Sequence, residues 1–159
     1  MERRSFIIGL GLAAISTSAL ARSAKVMDFR TADLMGGEFA LQTSRLALTK
    51  TANPDVINFA NTEIAEQVQV ATLLGAAPGT APLRRDRAAM FARLEAIPAG
   101  AAFDAMYVQG QISGHRELLA LNTSYLSNGN DPQAQSVAQM SVPIIQTHLA
   151  TLNGMRRMA

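Results

Sequence analysis

The chain has 159 residues, a formal net charge of +2 and no cysteine. The missing thiol excludes disulfides, thiolate metal sites and a lipid carried on an N-terminal cysteine. Basic residues are scattered, and two tyrosines and six phenylalanines are the only aromatics that can stack on bases, so there is no case for nucleic acid as a partner.

The N-terminus reads Glu2-Arg3-Arg4-Ser5-Phe6, then an uncharged run from Ile7 to Leu20, then small residues around Ala19-Leu20-Ala21. A basic start, an apolar stretch and an A-x-A-like end are the anatomy of a secretory signal. The paired arginines before Ser5-Phe6-Ile7 also resemble the twin-arginine export signal. The apolar run is shorter than the roughly 20 residues of a spanning helix. Residues 1–21 are therefore expected to be a cleavable signal peptide. Residues 22–159 are expected to be a single periplasmic domain, with no transmembrane segment once the signal is removed and a length that suits one core.

Four segments then carry helical spacing. The first, from about Asp28 to Thr51, places Leu34, Leu41 and Leu48 seven apart, with Phe39 and Leu46 beside them. Asn53-Pro54-Asp55 supplies a cap, a first-turn proline and an acid for the positive helix end, and opens a second helix running to about Leu74. Residues 75–82 hold two glycines and two prolines and read as a linker. Leu83 to Ile97 follows as a short amphipathic helix with Met90, Phe91 and Leu94 on its apolar side, and its Arg84, Arg85 and Arg87 read as a solvated face. A third long helix spans about Ala101 to Ser127. Gly129 and Asp131-Pro132 repeat the stop-and-restart device, and a fourth runs from Pro132 to about Met155, bent at Pro143. The expected fold is all-α: a ferritin-like four-helix bundle of two antiparallel hairpins joined by a long crossover with a short helix.

Polar residues on apolar stripes carry the chemistry of such a bundle, because burying them unpaired costs free energy. Glu38 shares a face with Leu34 and Leu41. Glu63 and Gln67 lie on the stripe of Val56, Phe59, Val70 and Leu74, whereas Asn58, Thr62, Glu66 and Gln69 are directed to solvent. His115 is framed by Val108, Ile112, Leu119 and Leu126, and His148 by Ile144, Ile145 and Leu152, with Tyr107 able to reach their level. All five stripe residues lie roughly 16 to 27 Å along their helices from the nearer hairpin tip, near mid-bundle. Glu38, Glu63, His115 and His148 have the donor composition of a site for iron, manganese or zinc. The residues three before His115 and His148 are Ile112 and Ile145, so the paired Glu-x-x-His of a di-iron bundle is missing. The alternative is a hydrogen-bonded network that fixes helix register, with His115 buried and neutral. Ser113 and Ser141 lack elbow or triad spacing, so no catalytic residue emerges and hydrolase chemistry is not expected.

Gly36-Gly37, Asn53-Pro54 with Phe59-Ala60, Phe103-Asp104-x-x-Tyr107 leading to Gly114-His115, and Pro143 followed by His148-Leu149 together resemble the bacterial domain-of-unknown-function family 4142. The resemblance runs from about Asp28 to Leu152 and implies an exported ferritin-like bundle, a type often labelled an outer-membrane protein although nothing in it is barrel-like. Where that family commonly has an Asp-His pair in the second helix, this chain has Glu66-Gln67. Where an acid often follows the paired glycines, it has Ala40, with Glu38 displaced by two. If the family's polar residues form a metal site, this chain lacks one imidazole of it. The leading expectation is therefore a periplasmic binding or accessory protein for an unknown envelope protein or small ligand. The rival is a metal-binding ferritin-like protein, an oxidase or metal store with an atypical site.

Overall fold

A computed structural model describes residues 17–158, with side chains from 28 to 157. It contains helices α1 (Thr17–Lys50), α2 (Pro54–Leu73), α3 (Arg85–Ala96), α4 (Ala101–Asn128) and α5 (Pro132–Met158), and no strand among the described residues. The chain is an all-α helical bundle. Residues 1–16 of the expected signal lie outside the described residues, and the expected cleavage point after Ala21 falls within α1, where side chains are likewise outside them. Among the described residues no helix is long and apolar enough to cross a membrane.

Local chemistry sets the hairpins. Asn53 is extended (φ −73°, ψ 117°) and its side chain accepts from the Asp55 N–H at 3.0 Å, with Pro54 opening α2. At the other tip the Asp131 carboxylate accepts from the Ala134 N–H at 2.8 Å and starts α5. Gly75 at φ +77° and Gly79 at φ +85° turn the chain out of α2 in a backbone region that side chains rarely adopt. The three-residue connections make α1 antiparallel to α2 and α4 antiparallel to α5, and α1 also packs on α4. The crossover is held at both ends. Lys50 donates to the carbonyls of Leu94 and Ile97 at the end of α3 (3.3 and 2.8 Å), and Arg30 donates to Leu74 O at 3.0 Å and to Asp131 Oδ1 at 3.2 Å.

Two sequence expectations about facing are corrected. Leu48 and Leu126 are exposed at 37% and 36%. A seven-residue repeat drifts by roughly 20° per heptad against the true helical period, so the buried stripe passes to Ala47 on α1 and to Leu118, Asn122 and Tyr125 on α4. Arg87, expected on a solvated face, is buried. It lies over the Phe39 ring 5.0 Å from its centre, forms an ion pair with Glu117 and donates to Ser113 Oγ at 3.2 Å. Pro143 is exposed within a continuous α5.

The apolar core falls into two clusters. One gathers Ala47, Val56, Phe59, Leu94, Phe103, Tyr107, Ile112 and Leu152, and the other Phe29, Leu74, Tyr125, Ala134, Val137 and Ala138. On each of the four long helices a polar residue comes between them in sequence: Asp33 on α1, Glu63 on α2, His115 on α4 and both Ser141 and His148 on α5. The bundle thus has a polar layer between two dry ones.

Candidate metal centre

Helical periodicity delivers three donors to that layer. Val56, Phe59, Ala60 and Glu63 follow a three-or-four spacing along the buried face of α2, as do Ile112 with His115 on α4 and Ile145, His148 and Leu152 on α5. Glu63 is 0% exposed, His115 1% and His148 7%. Their inner atoms form a nearly equilateral triangle: His115 Nε2 to Glu63 Oε2 is 3.1 Å, His148 Nδ1 to Glu63 Oε2 is 3.0 Å, and His115 Nε2 to His148 Nδ1 is 3.1 Å.

The outer atoms of all three residues are already engaged. His115 Nδ1 is 2.9 Å from the Gln111 carbonyl, which has no proton to give, so Nδ1 carries the N–H and donates. His148 Nε2 faces the Glu66 carboxylate at 3.1 Å. Glu63 Oε1 accepts from Gln67 Nε2 at 2.8 Å. With each ring protonated on its outer nitrogen, both inner nitrogens and the Glu63 oxygen present lone pairs to one another. Such a triangle is stable only around a proton or a cation.

The electrostatics agree. Burial opposes charge on Glu63, yet the charges and hydrogen bonds of His115 and His148 hold its carboxyl well below the usual carboxylate range. For His115, burial acts to lower the pKa, but the Glu63 carboxylate, the hydrogen bonds to Glu63 and Gln111, and Glu66 outweigh it and raise it. The Glu63 carboxylate thus works against the neutral state expected of His115 from its aliphatic neighbours. Burial raises Glu66, with the Glu63 charge adding to the rise and His148 partly offsetting it.

The surroundings differ on the two sides of the triangle. The Phe59 ring packs edge-on against His148 at 5.1 Å and tilted against His115 at 5.9 Å between ring centres. Elsewhere both imidazoles line a cavity of about 30 Å³ shared with Asp33, Asn122 and Ser141 and walled by Val70, Leu118 and Ile145. Glu66, half-buried, borders both this cavity and an open groove of about 500 Å³ between α2 and α5. On the α1 side, Gly37 leaves room for Gln67: a Cβ there would overlap Gln67 Oε1.

Of the four residues expected as ligands, Glu63, His115 and His148 come together and Glu38 does not. Glu38 is buried on α1, accepts from Gln42 Nε2 at 2.6 Å and lines a separate pocket with Leu34, Gly37 and Leu41. Tyr107 also points elsewhere, its hydroxyl 2.9 Å from Ser44 Oγ. Gln67 supports the site as a donor to Glu63. Glu66, directed to solvent by the sequence reading, is instead half-buried against His148. Asp33 and Asn122 went unnoticed in the sequence, and Ser141 was weighed there only as a nucleophile and set aside. The signal available for two of them was spacing, since Asn122 lies seven residues after His115 and Ser141 seven before His148 on an antiparallel pair, which puts both two turns from the imidazoles in the same direction.

A two-histidine, one-carboxylate set of neutral and anionic donors suits iron, manganese or zinc. None of the curated proteins and none of the solved structures matches the chain. A family model does: that of Domain of unknown function (DUF4142) matches residues 13–155, nearly the whole sequence, and the chain belongs to that family.

Proposed function

We propose that the protein binds one first-row divalent metal ion, iron, manganese or zinc, through Glu63, His115 and His148, and that it does so in the bacterial periplasm after removal of residues 1–21. The observation that carries the metal reading is the buried triangle of three lone-pair donors, each held from behind by a hydrogen-bonding or charged partner. Two imidazole nitrogens and one carboxylate oxygen within 3.0–3.1 Å of one another would hold such an ion from one side, as a two-histidine, one-carboxylate set does, and would leave coordination positions open on the other.

A single three-ligand site argues for small-molecule chemistry at the ion over bulk metal storage. It also takes precedence over the accessory-protein reading, for which the site offers no specific support. The reading of export rests on the basic, apolar and small-residue pattern of residues 1–21.

Calorimetric titration of chelator-stripped protein with zinc tests the reading. One ion per chain is expected, with binding lost in His115→Ala and His148→Ala and kept in Glu38→Ala. Absence of binding, or equal loss in all three variants, would overturn it and leave a hydrogen-bonded network that fixes helix register.

A further inference from the structure

The cavity beside the triangle holds polar groups that the metal ligands do not use. Ser141 Oγ and Asn122 Oδ1 are buried without a hydrogen-bond partner, and Glu66, engaged by His148 Nε2 at 3.1 Å, borders the same space. Buried polar atoms are ordinarily paired, so orphans converging on one space call for something to fill it. The space is about 30 Å³, enough for a water-sized species, which needs roughly 10–15 Å³ and two to four polar neighbours. Val70, Leu118, Met140, Ile144 and Ile145 supply its apolar walls, with Asp33, Gln67 and Gln69 also at its border, and its size admits little else.

We propose that this cavity is the binding site for a small oxygen ligand of the ion, of the size of water, hydroxide or hydroperoxide, held by Ser141 and Asn122. The inference rests on the metal reading above and specifies what the open face of the ion receives. The cavity is favoured over the open groove between α2 and α5 because both imidazoles line it, whereas the groove reaches His148 alone of the three ligands and is walled there by the Phe59 ring. The ligand class follows from the partners. Ser141 can donate a hydrogen bond to an oxygen ligand, and Asn122 Oδ1 can accept one from that ligand's O–H, so a small species that both accepts and donates is matched at both ends. Asp33, bonded to Asn122 Nδ2 at 2.6 Å, orients that amide with its oxygen free. A larger organic substrate has no room here, and the α2–α5 seam at Glu66 is the route of exchange with solvent.

Azide serves as a probe on cobalt(II)-loaded protein, read by the visible absorption of the ion. Cobalt is titrated first, so failure of the metal reading is seen as absence of a bound cobalt spectrum before any azide is added, and that outcome overturns the inference as well. With cobalt bound, azide is expected to shift the spectrum saturably. Ser141→Val, which fills the cavity, should still bind one cobalt but weaken azide at least tenfold, and Ser141→Ala should weaken it less. Asn122→Leu gives the same test from α4 should Ser141→Val fail to fold. Equal azide affinity in the wild type and the cavity-filling variants, or no azide response in a cobalt-loaded wild type, would overturn the proposal.

Discussion

His115 Nε2 and His148 Nδ1 face each other at 3.1 Å across an antiparallel helix pair, each ring having committed its other nitrogen elsewhere. Two imidazoles in this relationship repel through their lone pairs unless a proton or a cation lies between them, and the Glu63 oxygen completing the triangle makes that requirement stronger. The polar layer is thus organised around a positive charge, whether the proton of an imidazolium or a bound cation.

Gly37 controls that layer from α1. Its lack of a side chain admits Gln67, whose amide steadies Glu63. Gly37→Ala should displace Gln67 and weaken metal binding roughly tenfold, the lower end of losses for supporting hydrogen-bond partners. Because alanine favours a helix over glycine by up to ~1 kcal/mol, the metal-free protein should lose little stability or gain some. Calorimetry for the metal and denaturant unfolding for the apo form check the two halves, and a parallel loss in both would assign Gly37 to packing alone.

Asp33 gives a pH signature separate from the metal ligands. Burial pushes its carboxyl up from 3.8 to about 6, against the opposing hydrogen bond from Asn122. A folded pKa above the unfolded one means that the folded state holds the proton more tightly. The associated stability is complete below about pH 3.8 and is lost as pH rises through 6, by up to ~3 kcal/mol. Asp33→Asn should remove this dependence, being more stable than wild type at pH 8 and similar at pH 3.5. Urea midpoints across that range decide it, and parallel profiles for the two proteins would contradict the assignment.

Much of this arrangement was legible in the sequence. Asn53-Pro54-Asp55 and Asp131-Pro132 mark their own helix starts, and the three-or-four spacing around Glu63, His115 and His148 turns them inward, because period and capping are local properties. The distinction between Glu38 and the other three was not legible: all four lie on apolar stripes at mid-bundle, and only the rotation of α1 against α2 and α4 separates Glu38 from the triangle. Glu66 escaped for a related reason, since a residue at the edge of a helix face becomes half-buried only when the neighbouring helix, here α5, is in place. Arg87 was misjudged because its cover, Phe39 with Glu117 beside it, comes from two helices distant in sequence.

Arg87 and Arg84 should therefore behave differently although three residues apart. Both pair with Glu117, but the Arg84 side chain is 47% exposed and the Arg87 side chain 7%. Arg84→Ala is expected to cost about 0–1 kcal/mol, as exposed ion pairs do. Arg87→Ala should cost more, about 2 kcal/mol, through loss of the pair, the packing on Phe39 and the docking of α3. Chemical unfolding of both variants gives the comparison, and equal small losses would mean that α3 is held by its apolar side alone.

X-ray absorption at the zinc edge of the metal-loaded protein tests the central claim most directly, because it reads the ligand atoms themselves. Two imidazole rings, identified by multiple scattering, together with oxygen donors at about 2.0–2.2 Å are expected, and one ring should disappear in His148→Ala while Glu38→Ala leaves the spectrum unchanged. A shell of oxygens without imidazole, or a spectrum that responds to Glu38→Ala and not to His148→Ala, would contradict a metal centre built on Glu63, His115 and His148.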